Sequence, residues 1–200
     1  MNDTVLWYAT RGAGIVSLLL FTAVVVLGIL QTLRWQTASW PRFLTAGLHR
    51  NLALLSVAFL AVHIVTAVVD PYTALGPLAA LVPFSSPYRR LWLGLGVVAF
   101  DLLLALVLTS LVRVRLGHRA WRAVHWLAYA AWPVALLHGA GTGSDTGALW
   151  MRLLDATCVV LVVGATTMRL TFERQALDRP PAAPAWVGST GRARANGRED

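Results

Sequence analysis

The sequence contains no lysine; all 17 basic residues are arginine, set against nine acidic ones. It has one cysteine, Cys158. A lone cysteine excludes an intramolecular disulfide and a multi-cysteine metal centre, and its place in an apolar run makes it a small core hydrophobe. Charge of either sign is scarce: 13% of residues are charged and 57% are hydrophobic. Soluble domains carry about 45–50% apolar residues. Several stretches of about 20 residues are almost free of charge, the length a helix needs to cross a bilayer core. A soluble globular class is thereby excluded. The formal net charge of +8 would suit a nucleic-acid partner, but the arginines gather at the ends of apolar runs and in the tail. That is where topology-setting charges lie, so membrane lipid, and no nucleic acid, is the expected surrounding.

The N-terminus "MNDTVLWYATRGAG" lacks a basic n-region and a small-residue cleavage site; it reads as the start of a retained helix rather than a signal peptide. Five spans are expected, over residues 5–30, 48–69, 91–112, 121–139 and 149–170. The link "QTLRWQTASWPRFLTAG" has two Trp and two Arg and suits an interfacial segment. The proline-rich loop "DPYTALGPLAALVPFSSPYRR" does not suit a continuous helix. The sequence divides into a membrane domain, 1–170, and a Pro/Ala- then Gly/Arg-rich tail, 171–200, expected to be mostly disordered. No internal repeat and no soluble domain is apparent. Arg34, Arg42 and Arg50 flank the first link, Arg113, Arg115, Arg119 and Arg122 fill the third, and Arg169, Arg174 and Arg179 begin the tail. The other side has Asp3, Asp70 and Asp145 against Arg89, Arg90 and Arg152. The positive-inside rule then puts the N-terminus outside and the C-terminus in the cytoplasm of a plasma membrane.

Four of the five histidines fall in two spans: His49 and His63 in "HRNLALLSVAFLAVH", His125 and His138 in "HWLAYAAWPVALLH". Both spans run from inside to outside. At about 1.5 Å per residue the members of each pair lie about 21 Å and about 20 Å apart along the axis. Two helices thus present imidazoles at two matched depths, and imidazoles facing across a helical bundle supply both axial ligands of a low-spin haem iron. Helical angle is a second test. Fourteen residues at about 100° return within about 40° of the starting face, so the second span passes. Thirteen residues leave His125 and His138 about 140° apart, so the fourth fails as an ideal helix; Pro133, between them, is the expected site of a kink that changes the winding. The bland alternative is a set of polar residues hydrogen-bonded between helices. A zinc or copper site would need ligands converging at one depth.

These segments, together with "ATRGAGIVSLLL" in the first span, resemble the ferric reductase-like transmembrane domain shared by NADPH oxidases, metalloreductases and the haem subunit of bacterial methionine sulfoxide reductase. The likeness covers about residues 5–170 and is most specific at the histidine pairs. It implies an all-α integral membrane bundle of five spans, the family's first span being absent, with two bis-His haem sites. It pairs His49 with His125 on an inner haem b and His63 with His138 on an outer one. Two haems are expected, and at least one, held noncovalently because there is no C-x-x-C-H motif. Oxidase members continue into a flavin and nicotinamide domain; about thirty residues after the last span are too few for one. FAD or FMN is thus expected only on a separate partner, with a flavin reductase or a quinol as donor. The implied function is a transmembrane b-type cytochrome passing electrons from a cytoplasmic donor to an extracytoplasmic acceptor such as a ferric chelate, oxygen, quinone or protein. An alternative is a haem-bearing subunit feeding a separate periplasmic or extracellular reductase. A haem-free scaffold or transporter is a third reading. Bis-His ligation leaves no open iron position and suits electron transfer over oxygen binding.

Supporting residues each admit two readings. Arg11, near the outer face, either snorkels or pairs with propionates of the outer haem. Arg50 and Arg122, beside the inner ligands, either serve the inner haem in the same way or only set topology. His118 reads as an interfacial residue of the inner loop. Tyr88, Arg89 and Arg90 either steer an anionic chelate or anchor the third span. Asp101, in mid-span, is expected to face the interior, to be paired or to be protonated, with a proton-handling role or a structural hydrogen bond as its two readings. Trp126, Tyr129 and Trp132 are placed between the ligand heights and read as packing on haem.

Overall fold

A computed structural model describes residues 3–33, 41–71 and 75–177. Among the described residues every regular element is helical: α1 (Asp3–Thr32), α2 (Arg42–Val69), a 3-10 turn (Pro77–Ala80), α3 (Arg90–Leu111), α4 (Arg113–Leu116), α5 (His118–His125), α6 (Ala128–Thr142) and α7 (Leu149–Leu177). The Trp-containing part of the first link, with Arg34, and the tail from residue 178 lie outside the described residues. Four helices, Thr4–Thr32, Arg42–Val69, Arg90–Leu111 and Leu149–Gln175, are long and apolar enough to cross a membrane. Helix is the form such sequences take because hydrocarbon offers no partner for backbone N–H and C=O groups, so each must be satisfied within its own segment.

Local chemistry explains most boundaries. Pro41 caps the start of α2 with φ −71° and ψ 154°, a conformation that proline holds at no cost. The helix therefore begins six residues before the expected Leu48. It ends at Asp70, which is extended with ψ 114° because the ring of Pro71 disfavours a helical residue before it. The proline-rich loop contributes only the 3-10 turn. Residues 171–177, expected in the tail, continue α7; "TFERQAL" has good helix formers and the prolines come only after it.

The expected fourth span departs most. It is two helices, α5 and α6, separated by Trp126 and Leu127. Pro133 does not break it; α6 runs through that residue. The break is marked instead by tight bonds. The Leu127 N–H donates to the Val124 carbonyl (2.9 Å), Tyr129 to Trp126 (3.1 Å) and Ala130 to Leu127 (3.0 Å). These i→i−3 bonds are 3-10 winding.

Contacts divide the chain into Met1–Arg169 and Leu170–Asp200. Within the first unit, α1 packs along α2, α3 packs along α6, and α1 also meets α6. A core joins α1, α3, α6 and α7 through Phe21, Val25, Ile29, Leu106, Ala131, Trp132, Cys158, Val162 and Ala165. Cys158 is buried and free, as a small hydrophobe in this core. The Trp132 indole N–H donates to Thr22 Oγ1 at 2.9 Å. Between α1 and α2, Ser17 and Ser56 exchange hydroxyl-to-carbonyl bonds, each 3.2 Å. Lipid competes with apolar side chains for helix faces, so small residues and such polar bonds carry helix association. The outer surface is apolar: Leu54, Val65, Val160 and Val163 are more than half exposed, as lipid-facing residues are.

Ala131 is fully buried, so Ala131→Leu forces two methylenes and a branch into a filled space. A loss of about 1–3 kcal/mol is expected, read as a lower unfolding temperature in detergent, whereas Val160→Leu on the lipid face leaves it unchanged.

Candidate functional site

Helix α2 carries His49 and His63, α5 ends on His125, and α6 carries His138. The ring centroids of His49 and His125 are 6.4 Å apart and those of His63 and His138 are 6.2 Å apart. The four side chains thus form two facing pairs at two levels. A metal–imidazole bond of about 2.0–2.1 Å, plus roughly 1.1 Å from nitrogen to ring centre, puts two such rings about 6.3 Å apart across one ion. Both pairs fit that spacing, and it is too wide for a direct hydrogen bond between the rings. Among the described residues no group of three or more His, Cys, Asp or Glu converges, which argues against a zinc centre with all-protein ligands.

The angle that an ideal helix denies to His125 and His138 comes from the winding at the break. A 3-10 helix turns about 120° per residue against about 100° for an α-helix. The three i→i−3 bonds around Trp126 and Leu127 overwind the stretch between His125 and His138 and so reduce that angle. The overwinding falls at Trp126 and Leu127 rather than at Pro133.

Three imidazoles are held in the same way. His49 Nδ1 lies 3.0 Å from the Val24 carbonyl, His63 Nδ1 2.7 Å from that of Thr10, and His138 Nδ1 2.8 Å from that of Trp92. A carbonyl only accepts, so each Nδ1 carries the proton and each Nε2 keeps a lone pair for a metal. Four residues after each carbonyl stands a glycine against the same ring. A Cβ at Gly14 would sit 2.8 Å from His63 Nδ1, at Gly28 3.3 Å from His49 Cε1, and at Gly96 2.5 Å from His138 Cε1. These glycines are functional residues that the sequence reading missed. Their signal was present: Gly14 and Gly28 are fourteen positions apart, as are His49 and His63. Gly96 on α3 stands to His138 on α6 as Gly14 on α1 stands to His63 on α2.

The His63 and His138 pair lies in an apolar cavity lined by Gly14, Leu60, Gly96 and Phe100, with Arg11 and Asp145 on its wall. Arg11 forms an ion pair with Asp145, donates to Ser144 Oγ at 2.7 Å and stands 4.9 Å over the Trp7 ring. It is therefore fixed at the cavity rather than snorkelling freely. Arg50 and Arg122 are exposed. His118 is exposed and its ring lies 5.6 Å from that of Trp121.

Other sequence candidates settle differently. Arg89 donates to the Gly141 carbonyl at 2.7 Å and Arg90 to the Phe84 carbonyl at 2.7 Å, so both tie the outer loop to the bundle. Asp101 is exposed on α3 and does not face the interior; its position on the helix turns it away from the cavity that Gly96 and Phe100 line. Trp132 is buried, but Trp126 sits at the helix break, 53% exposed, with Arg169 4.8 Å over its ring. Tyr129 accepts a 2.7 Å bond from Arg169.

A family model described as ferric reductase like transmembrane component matches residues 13–136, more than half of the chain. The match takes in Gly14, His49, His63, Gly96 and His125 and stops two residues before His138. Neither the curated proteins nor the solved structures contain a match.

The glycine contacts set an order of sensitivity. Gly14→Ala and Gly96→Ala press on His63 and His138; if each histidine pair holds a haem, they should cost that pair its haem, roughly half of a complement of two. Gly28→Ala, with a wider gap, should cost less, and Gly12→Ala, which meets nothing within 4 Å, should cost nothing. Haem content by pyridine haemochrome on equal amounts of protein checks the series.

Proposed function

The chain belongs to the ferric reductase-like transmembrane family, and we propose that it is a b-type cytochrome that moves electrons across a membrane through two haems, one at each histidine level. The observation that carries this reading is the pair of facing imidazole couples at one spacing, 6.4 Å and 6.2 Å. On this reading the broken segment α5–α6 is a fifth crossing. The arginines of the third link and around the start of α2 put the His49 and His125 level at the cytoplasmic side. His63 and His138 then lie at the outer side.

Haem iron supplies a one-electron ferric–ferrous couple. The protein's part is to hold and insulate it. His49 with His125, and His63 with His138, would each hold one haem through a pair of imidazoles. The Nδ1 bonds to Val24, Thr10 and Trp92 keep three imidazoles in the ligating tautomer. The glycines admit a ring against the backbone where a side chain would exclude it. Leu60, Phe100 and the other apolar walls of the outer cavity keep water from the site. Arg50 and Arg122, beside the inner ligands, are exposed cations that would meet propionate carboxylates, whereas Arg11 at the outer cavity is paired with Asp145 and could take a propionate only in exchange for it.

The donor on this reading is a separate flavin reductase, carrying FAD or FMN, or a membrane quinol. On the outer side, Arg89 and Arg90 each give one N–H to a backbone carbonyl. A second form of this reading has the chain feed a separate extracytoplasmic reductase.

Purified protein should contain two noncovalent haems per chain, measured by haemochrome assay against protein mass; a haem-free protein would end this reading. In sided vesicles with a cytoplasmic donor, His49→Ala or His125→Ala should stop reduction of both haems, while His63→Ala or His138→Ala should leave an inner haem that still reduces. Identical behaviour of the two sets would refute the relay. NADPH alone should reduce neither haem, and an added soluble flavin reductase should reduce both; reduction without the flavoprotein would contradict a separate donor.

A further inference from the structure

The cradle that holds three of the histidines is missing at the fourth. On α1 the step from Gly14 to Gly28 is fourteen residues, and on α3 the same step from Gly96 reaches Ser110. Four residues before Ser110 is Leu106, whose carbonyl would be the counterpart of Trp92, Thr10 and Val24. Two features close this position. Ser110 has a Cβ where the others have none. The Leu106 carbonyl accepts the Thr109 hydroxyl at 3.3 Å. His125 Nδ1 is buried and has no hydrogen-bond partner among the described residues.

Something else must therefore hold the ring, since a histidine that rotates is a poor ligand. The Trp121 indole lies on it, with centroids 4.8 Å apart and planes at 28°, the one near-parallel stack among the described aromatic pairs. Trp121 is itself fixed to α3, its indole N–H donating to Ser110 Oγ at 3.3 Å. The residue that blocks the cradle is the one that anchors its replacement. Resting on the haem reading above, we infer that Trp121 is a positioning residue for His125: it holds by stacking the one axial ligand that no backbone carbonyl holds. The inner site then has a strapped ligand, His49, and a stacked one, His125, while both outer ligands are strapped. Loss of the stack frees His125 from the iron and touches no other ligand.

The test uses full-length protein in detergent, read by absorption and EPR of the oxidised form and by carbon monoxide binding to the reduced form. Wild type should show two low-spin haems that ignore carbon monoxide. Trp121→Ala should turn one of the two haems high-spin and carbon monoxide-reactive and shift one of the two midpoint potentials, with the other unmoved. Trp121→Phe, which keeps an aromatic face but loses the N–H anchor to Ser110, should resemble Ser110→Ala and fall between wild type and Trp121→Ala. Ser110→Ala, which removes only the indole's anchor, should give the Trp121→Ala spectrum at smaller amplitude, and it decides the matter if Trp121→Ala does not accumulate. Two low-spin, carbon monoxide-inert haems with unshifted potentials in both Trp121→Ala and Ser110→Ala would overturn the assignment while leaving the haem reading intact. A wild-type protein without haem would overturn both.

Discussion

The hydrogen bond from an imidazole Nδ1 to a carbonyl of the adjacent helix is the contact on which this membrane domain turns. It does two things at once. Chemically it fixes the proton on one ring nitrogen and leaves the other as a donor toward the space between α2 and the α5–α6 segment. Structurally it ties α2 to α1 at two heights, through Val24 and Thr10, and α6 to α3 through Trp92. A carbonyl inside a helix already accepts its own i+4 N–H, and it can take a second donor only if the approach is open. Glycine at i+4 opens it. The three glycines are thus needed for space rather than for backbone freedom; Gly14, Gly28 and Gly96 all lie within regular helix.

The same economy governs the rest of the packing. Apolar residues face lipid around most of α2, where 6% of the most apolar window is buried inside the protein. Burial alone therefore cannot align this helix. Its position is set by the two imidazole bonds and by the reciprocal pair of Ser17 and Ser56, which lies between them along α2. Polar contacts of this kind are worth about 1 kcal/mol each in membranes, and several at known heights suffice to define register. On the other side of the domain, the core around Ile29, Ala131 and Cys158 supplies ordinary close packing, and it is there that α7 joins the bundle.

Much of this was legible in the sequence, for physical reasons that can be named. Apolar runs near the length of a bilayer core fixed the class and four of the helices. The spacing of His49 and His63, and of His125 and His138, gave two matched depths because helix rise is constant, and the family resemblance gave the pairing. What failed was what depends on winding and on partners. Pro133 looked like the place to bend because proline removes a bond; the helix instead tightens at Trp126 and Leu127, which carry no local signal for it. Asp101 was expected inside because charge in hydrocarbon is costly, yet its register on α3 turns it outward. Arg11 was weighed between lipid headgroups and propionates, and Asp145, 134 residues away, could not be foreseen as its partner. The glycines were visible as letters, but their meaning required knowing which histidine each one faces.

The tightened stretch between His125 and His138 also makes length and pitch exchangeable quantities. Thirteen residues reach the opposing helix at both levels only because part of the segment is overwound. Fourteen residues in an unbroken α-helix would fall within about 40° of the same phase, as they do in α2. One inserted residue and one relaxed turn are therefore equivalent solutions, and either change made alone swings a ligand out of alignment by about 100° or more. This segment is in that sense a vernier: its residue count cannot drift as a loop's can, and a lengthened form of it would be expected to have lost the break.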